Sequence, residues 1–226
     1  MSVKRPWFRR SGVKSRGQSL VEFTVLLPVL LIMISGLIEF GIMLNYYLDV
    51  IDAAREAARF AADADPIRDP NPPYAYLDPN PAFYSNIQTL AMQSLKAASD
   101  NRIDWPKMQV MYGATWCDHV RGDIVISAFG VRRTAGPPVV DKRFPVVMGE
   151  NGVSMCNHYT SKITSAFVAS RLDAAAPTSG LVLVEVFFDY DQVLALPWIT
   201  AFVPDPIHLH AYTIMPNSAV EPTPTP

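Results

Sequence analysis

The longest apolar pattern in the chain lies near its start. Between residues 20 and 48 the only charged side chains are those of Glu22 and Glu39. A helix that crosses the hydrocarbon of a bilayer needs about 20 mostly apolar residues, and the segment 23–44 meets this requirement if Glu39 lies near the far interface. The pattern therefore predicts a membrane-spanning helix.

The helical pattern continues beyond this apolar segment. Residues 49–65 are rich in good helix formers and contain neither glycine nor proline before Pro66. Small residues recur there at four-residue spacing, in two ladders: Ala53, Ala57 and Ala61, then Ala54, Ala58 and Ala62. We expect one helix over 18–65, whose alanines pack closely against other helices or against the protein's own sheet.

The remainder of the chain has the pattern of a mixed α+β domain. Residues 66–82 are rich in proline and predict an extended linker. Alternation of apolar and polar positions predicts strands, and apolar residues at helical spacing predict helices. The expected strands are 108–116, 123–132, 181–190 and 207–215, and the expected helices are 83–98 and 161–172.

These elements define the predicted fold class. We expect a long N-terminal transmembrane helix that extends into an α+β domain over 83–216, with an antiparallel sheet and one or two packed helices. A polar, proline-rich tail over 217–226 is predicted to be disordered.

Charge is distributed unevenly along the chain. The first 19 residues hold six Lys or Arg and no acidic residue, so the rest must carry −8 to give the formal net charge of −2. A basic cluster directly before a spanning helix keeps the N-terminus in the cytoplasm and sends the C-terminal part across the membrane. A cleaved secretory signal is the alternative, but the apolar segment is long and lacks the small-residue cleavage pattern.

The two cysteines, Cys117 and Cys156, both lie in the part that is predicted to be exported. In an oxidising compartment we expect one disulfide between them. Closing a loop of about 40 residues would stabilise the fold by about 4 kcal/mol on a chain-entropy argument. Two free buried thiols are the alternative.

Catalytic and ligand-binding signals are weak. His208 and His210 share one face of a predicted strand and could begin a metal site, but no recognisable spacing supplies a third ligand. No nucleophile, phosphate-loop or dinucleotide motif appears. We therefore predict no catalytic residues, no metal, no cofactor and no nucleic-acid partner. The apolar segment 193–203 is expected to pack in the core, or to meet the membrane surface or a neighbouring subunit.

The start of the chain resembles the processing site of type IV prepilins. A basic leader over 1–17 ends at Gly17, and Gln18-Ser19-Leu20-Val21 precedes Glu22, Phe23 and the apolar helix. The motifs V-E-F-T-V-L-L-P-V-L-L at 21–31, I-E-F-G at 38–41 and A-A-R-E-A-A-R at 53–59 are similar to the TadE-like pseudopilins of the tight adherence (Flp) pilus system. The resemblance implies that a peptidase cuts between Gly17 and Gln18.

The same resemblance implies a role for the two residues at the head of the helix. Cleavage would create an ammonium group at Gln18, which Glu22 of the same or an adjacent subunit would neutralise, thereby setting the axial register of packed helices. Phe23 belongs to the same assembly segment.

The implied function is that of a structural minor pilin or pseudopilin without an active site. Its partners would be a prepilin peptidase, other pilin or pseudopilin subunits, the inner-membrane assembly platform and the lipid bilayer. Two other classes of function remain as alternatives. An anchored binding module would use the proline-rich segment as a tether, and an anchored surface enzyme would need a polar cleft with perturbed ionisable groups.

Overall fold

A computed structural model describes residues 18–67, 80–98, 117 and 122–222, with side chains over 20–67, 80–95, 117 and 122–222. The helices are α1 (Gln18–Ala62), α2 (Pro81–Ala98), α3 (Ser165–Arg171) and α4 (Pro197–Thr200). The strands are β1 (Gly122–Arg132), β2 (Val139–Phe144), β3 (Val153–Ser154), β4 (Ser179–Tyr190) and β5 (Ile207–Pro216). Short 3-10 helices cover Val146–Asn151 and Ser218–Val220.

The strands form one antiparallel sheet in the order β2-β1-β4-β5, and β3 extends the β2 edge by pairing with β1. This architecture confirms the predicted α+β class with a long N-terminal helix. The predicted strand over 108–116 lies outside the described residues. The helix predicted over 161–172 is shorter, because Ser161 and Lys162 bind the sheet through Glu185 before the helix begins at Ser165.

Both faces of the sheet are covered. The second half of α1 and the helix α2 pack on one face, where their side chains share a core with Ile124, Ile126, Val182, Val184 and Val186. The segment leading into α3 covers the other face around Phe129 and Leu183. Since both faces are buried, β1 is buried at all but its last residue.

The proline-rich segment does not separate two independently packed units. Residues 68–79 lie outside the described part, but the two ends of the segment meet, with Asn80 N donating to Pro66 O at 3.1 Å. Helix α2 begins at Pro81 and packs in the same core as α1. The second half of the predicted scaffold helix is therefore part of the domain.

The boundary predicted for the disordered tail, at residue 217, is wrong. Asn217 is buried, and its side-chain amide donates to Ala61 O at 2.7 Å and to Ala64 O at 2.8 Å. Its backbone lies so close to β4 that a Cβ on Gly180 would stand 2.0 Å from Asn217 O. The chain after β5 thus closes the C-terminal end of α1, and the buried Val220 continues the packing.

Candidate assembly segment and helix junction

Helix α1 divides into an exposed apolar half and a buried half. From residue 20 to 38 the apolar side chains are largely exposed, and the helix is long and apolar enough to cross a membrane by length and composition. From Val50 onward one side of the helix is buried in the domain core. Most of the first half thus projects away from the domain core, whereas the second half is built into it.

The residues predicted to act in processing and assembly lie at the free end of α1. Gly17 lies outside the described residues, and Gln18 is the first described residue of the helix. Glu22 follows one turn later and is exposed. The side chain of Phe23 is 60% exposed.

The alanine ladders lie at the other end of α1 and face inward. Their predicted packing positions are all at most 1% exposed: Ala53, Ala54, Ala57, Ala58 and Ala61. Their neighbours in the core come from α2 and from β1, β4 and β5. Of the two environments expected for these alanines, the structure places them against the protein's own second helix and sheet.

Glu39, where the two halves of α1 meet, binds the end of β4 and the loop after it. Its carboxylate is buried and accepts hydrogen bonds from Tyr190 Oη at 2.5 Å, from Val193 N at 2.8 Å and from Leu194 N at 2.8 Å. Burial and the bond to Glu39 raise the pKa of Tyr190 above its ordinary value. The end of β4 and the loop after it are thereby held on α1.

Sequence reasoning identified Glu39 as a charge in an apolar segment but not its partners. Tyr190 is 151 residues away in sequence, and no local pattern connects the two. The one available signal was the cost of an ionised group next to hydrocarbon, which indicates that a partner is needed.

A second buried carboxylate organises the loop that carries one cysteine. Cys117 and Cys156 form a disulfide with their Cα atoms 5.3 Å apart. Asp123, at the start of β1, accepts backbone N–H groups from Cys156 at 3.0 Å, His158 at 2.9 Å and Tyr159 at 3.0 Å. Because its acceptor positions are filled by this loop, Asp123 has a structural role.

The two histidines on β5 each contact a carboxylate of β4. His208 Nδ1 lies 2.6 Å from Asp189 Oδ1, and His210 Nε2 lies 3.1 Å from Glu185 Oε1. Tyr159 donates to Asp189 at 2.7 Å, and burial together with this bond raises the pKa of Tyr159 to about 12. Within the described part of the chain, no group of three or more His, Cys, Asp or Glu side chains is placed to hold a metal ion.

The fold and the site together define a protein with one apolar N-terminal helix that is compatible with a single-pass membrane anchor and is continuous with an α+β domain. Residues 17–59 match the model of the family described as TadE-like protein, which confirms the resemblance drawn from the sequence. The match covers 43 of the 226 residues, and the TadE-like family is a family of pilus components. Neither the curated proteins nor the solved structures gave a match to the chain.

Proposed function

We propose that this chain is a structural minor pilin or pseudopilin that takes part in the assembly of tight adherence pili. Its N-terminus lies in the cytoplasm, its apolar half-helix spans the cytoplasmic membrane, and its α+β domain lies outside. It works with a prepilin peptidase, other pilin subunits and the inner-membrane assembly platform, and it has no catalytic role of its own.

The observation that carries this proposal is the position of Glu22 relative to Gln18. Gln18 is part of helix α1, so cutting after Gly17 would place a free ammonium group on a helical residue. Glu22 lies four residues on, which is one turn and about 6 Å of axial rise. An amine and a carboxylate at this separation can neutralise one another within a subunit or between adjacent subunits.

The division of α1 supports the same proposal. An assembling subunit needs an apolar helix that can move from lipid to the helices of its neighbours, and a domain that stays folded during this transfer. Residues 20–38 are largely exposed, whereas the alanine face over 53–61 is already buried in the subunit. The first half of α1 therefore supplies the surface between subunits, and the second half stabilises the domain.

N-terminal sequencing of the chain from membranes tests the processing step. In cells with an active prepilin peptidase we expect the mature chain to start at Gln18, and in cells that lack the enzyme we expect the leader to remain. A chain that keeps its first 17 residues in the presence of the peptidase would contradict the proposal and favour a tethered binding module.

A charge-removing variant tests the assembly step. Glu22→Gln should leave processing and membrane insertion unchanged but reduce incorporation into pili, measured by the amount of the chain in sheared pilus fractions. Asp52→Asn is the matched control, since it removes an exposed carboxylate from the domain half of the same helix. Equal incorporation of both variants would contradict a role for Glu22.

A further inference from the structure

The loop between β4 and β5 contains an uncharged apolar segment. Residues 193–203 hold no acidic, basic or histidine side chain. Several of its large side chains are exposed: Val193 is 59% exposed, Trp198 is 41% exposed and Phe202 is 88% exposed. Exposed apolar groups clustered in one loop indicate a surface that meets another apolar phase.

This loop is fixed against the exposed half of α1. The backbone N–H groups of Val193 and Leu194 donate to Glu39, and Trp198 Nε1 donates to Ser35 Oγ at 3.1 Å. The apolar surface of the loop is therefore continuous with the apolar surface of the helix segment 20–38.

The contact between Trp198 and Ser35 shows at which position along α1 the loop lies. The segment 20–38 is about 28 Å long at 1.5 Å per residue, close to the roughly 30 Å of hydrocarbon in a bilayer. Ser35 lies one turn before Glu39, where this segment ends. The indole of Trp198 is thus level with the last turn of the apolar segment, a depth that tryptophan prefers at a membrane interface.

Five consecutive backbone donors of the loop are satisfied within the loop itself. In and after α4, the N–H groups of consecutive residues bond to carbonyls of the same loop: Ile199 and Thr200 to Leu196 O, Ala201 to Pro197 O, and Phe202 and Val203 to Ile199 O. Unpaired backbone groups are costly near hydrocarbon. Internal pairing therefore lowers the cost of placing this loop in the interfacial layer.

We propose that residues 193–203 form an interfacial membrane anchor, with Trp198 and Phe202 embedded in the layer between headgroups and acyl chains around α1. The proposal rests on the membrane-spanning role given to α1 in the proposed function. It adds that the domain is docked on the bilayer through a second contact, so that Glu39 marks the boundary between lipid and domain.

Fluorescence quenching in vesicles tests this placement. The full chain carrying Trp7→Phe, Trp105→Phe and Trp116→Phe retains Trp198 and is reconstituted in phosphatidylcholine vesicles with bromine atoms near the headgroup end of the acyl chains. We expect loss of Trp198 emission relative to unbrominated vesicles. The control chain also carries Trp198→Phe and Val139→Trp, so that its single tryptophan stands at position 139. Val139 pairs with Arg132 at the opposite end of the sheet. Its emission should not change.

Photocrosslinking is a second test that does not depend on the folding of the single-tryptophan chain. A benzophenone amino acid in place of Phe202, in the otherwise unchanged protein, should form adducts with lipid. Adducts with a second copy, or unquenched Trp198 in an inserted chain, would overturn the interfacial anchor and leave the proposed function intact. A chain that alkaline extraction removes from the vesicles would overturn both the anchor and the membrane-spanning role of α1.

Discussion

The carboxylate of Glu39 and the phenol of Tyr190 form a 2.5 Å hydrogen bond between residues 151 positions apart in the chain. Glu39 lies at the end of the apolar half of α1, and Tyr190 is the last residue of β4. Together with the bonds from Val193 and Leu194, this contact ties the end of the exposed half of α1 to the end of β4 and the loop after it.

Removing either partner of this bond should loosen the junction. Tyr190→Phe deletes the donor and should lower the free energy of unfolding by about 1.5–3 kcal/mol, the range for hydrogen bonds to charged groups. Glu39→Gln should have a comparable effect, because its amide group offers fewer acceptor positions to the two backbone N–H groups. Urea unfolding of the full chain in detergent micelles measures both changes.

The double variant separates this bond from general damage to the junction. If the two side chains act through one hydrogen bond, the combined loss in Glu39→Gln/Tyr190→Phe should be smaller than the sum of the two single losses. Strictly additive losses would show that the residues stabilise the junction independently.

Asn217 should be a second determinant of how α1 is held. Its buried side-chain Nδ2 donates to Ala61 O and Ala64 O near the end of the helix, and its side-chain Oδ1 accepts a hydrogen bond from Ala219 N at 2.9 Å. Asn217→Ala leaves these groups without that partner and should reduce the free energy of unfolding by about 1–3 kcal/mol. Ser218→Ala, at an exposed neighbouring position, is the control and should have little effect. Equal stability of the two variants would contradict the capping role.

The inward alanine ladder should not tolerate larger side chains. Ala57 is fully buried between α1, α2 and the sheet, so Ala57→Leu must displace packed neighbours. We expect a loss of about 1–3 kcal/mol in the free energy of unfolding, together with reduced export of folded protein. Ala62→Leu, at a partly exposed position of the same helix, should change the stability by no more than about 0.5 kcal/mol. Similar losses in both variants would argue against close packing at Ala57.

Elements with strong local periodicity could be predicted from the sequence. The extent of α1 follows from an apolar segment joined to an alanine-rich one, and the apolar run over 123–132 and the alternation over 181–190 predicted two central strands. In contrast, β2 was missed because Asp141, Lys142 and Arg143 interrupt its apolar pattern, and β3 is only two residues long. Such edge strands are specified by pairing with β1 rather than by their own composition.

The junction around Glu39 illustrates a different limit. A charged residue in an apolar segment predicts that a partner exists, since an isolated charge would be too costly there. The identity of that partner depends on how β4 and the following loop fold back onto α1. Asn217 illustrates the same limit. It lies in a polar, proline-rich sequence that is typical of a disordered tail, but the end of α1 provides a buried position for its side chain.

Part of the stability lost at acidic pH should come from the protonation of Glu150. Arg143 Nη1 donates to it at 2.7 Å, and Ser165 donates through its backbone N at 2.9 Å and its hydroxyl at 2.6 Å. Burial alone would raise the pKa of Glu150, but the hydrogen bonds from Ser165 and the charge of Arg143 outweigh it and hold the pKa below its ordinary value.

A carboxyl whose pKa is lower in the folded state stabilises the fold above its unfolded pKa of about 4.3, and this contribution is lost as the pH falls through the folded value. Glu150→Gln should therefore reduce the free energy of unfolding at pH 7 by at most about 1 kcal/mol, since the side chain is 55% exposed. The difference between the wild type and the variant should shrink as the pH falls from 7 to 3. Urea unfolding at both pH values measures this, with the exposed Glu56→Gln as the control. A difference that stays constant between the two pH values would contradict the assignment to Glu150.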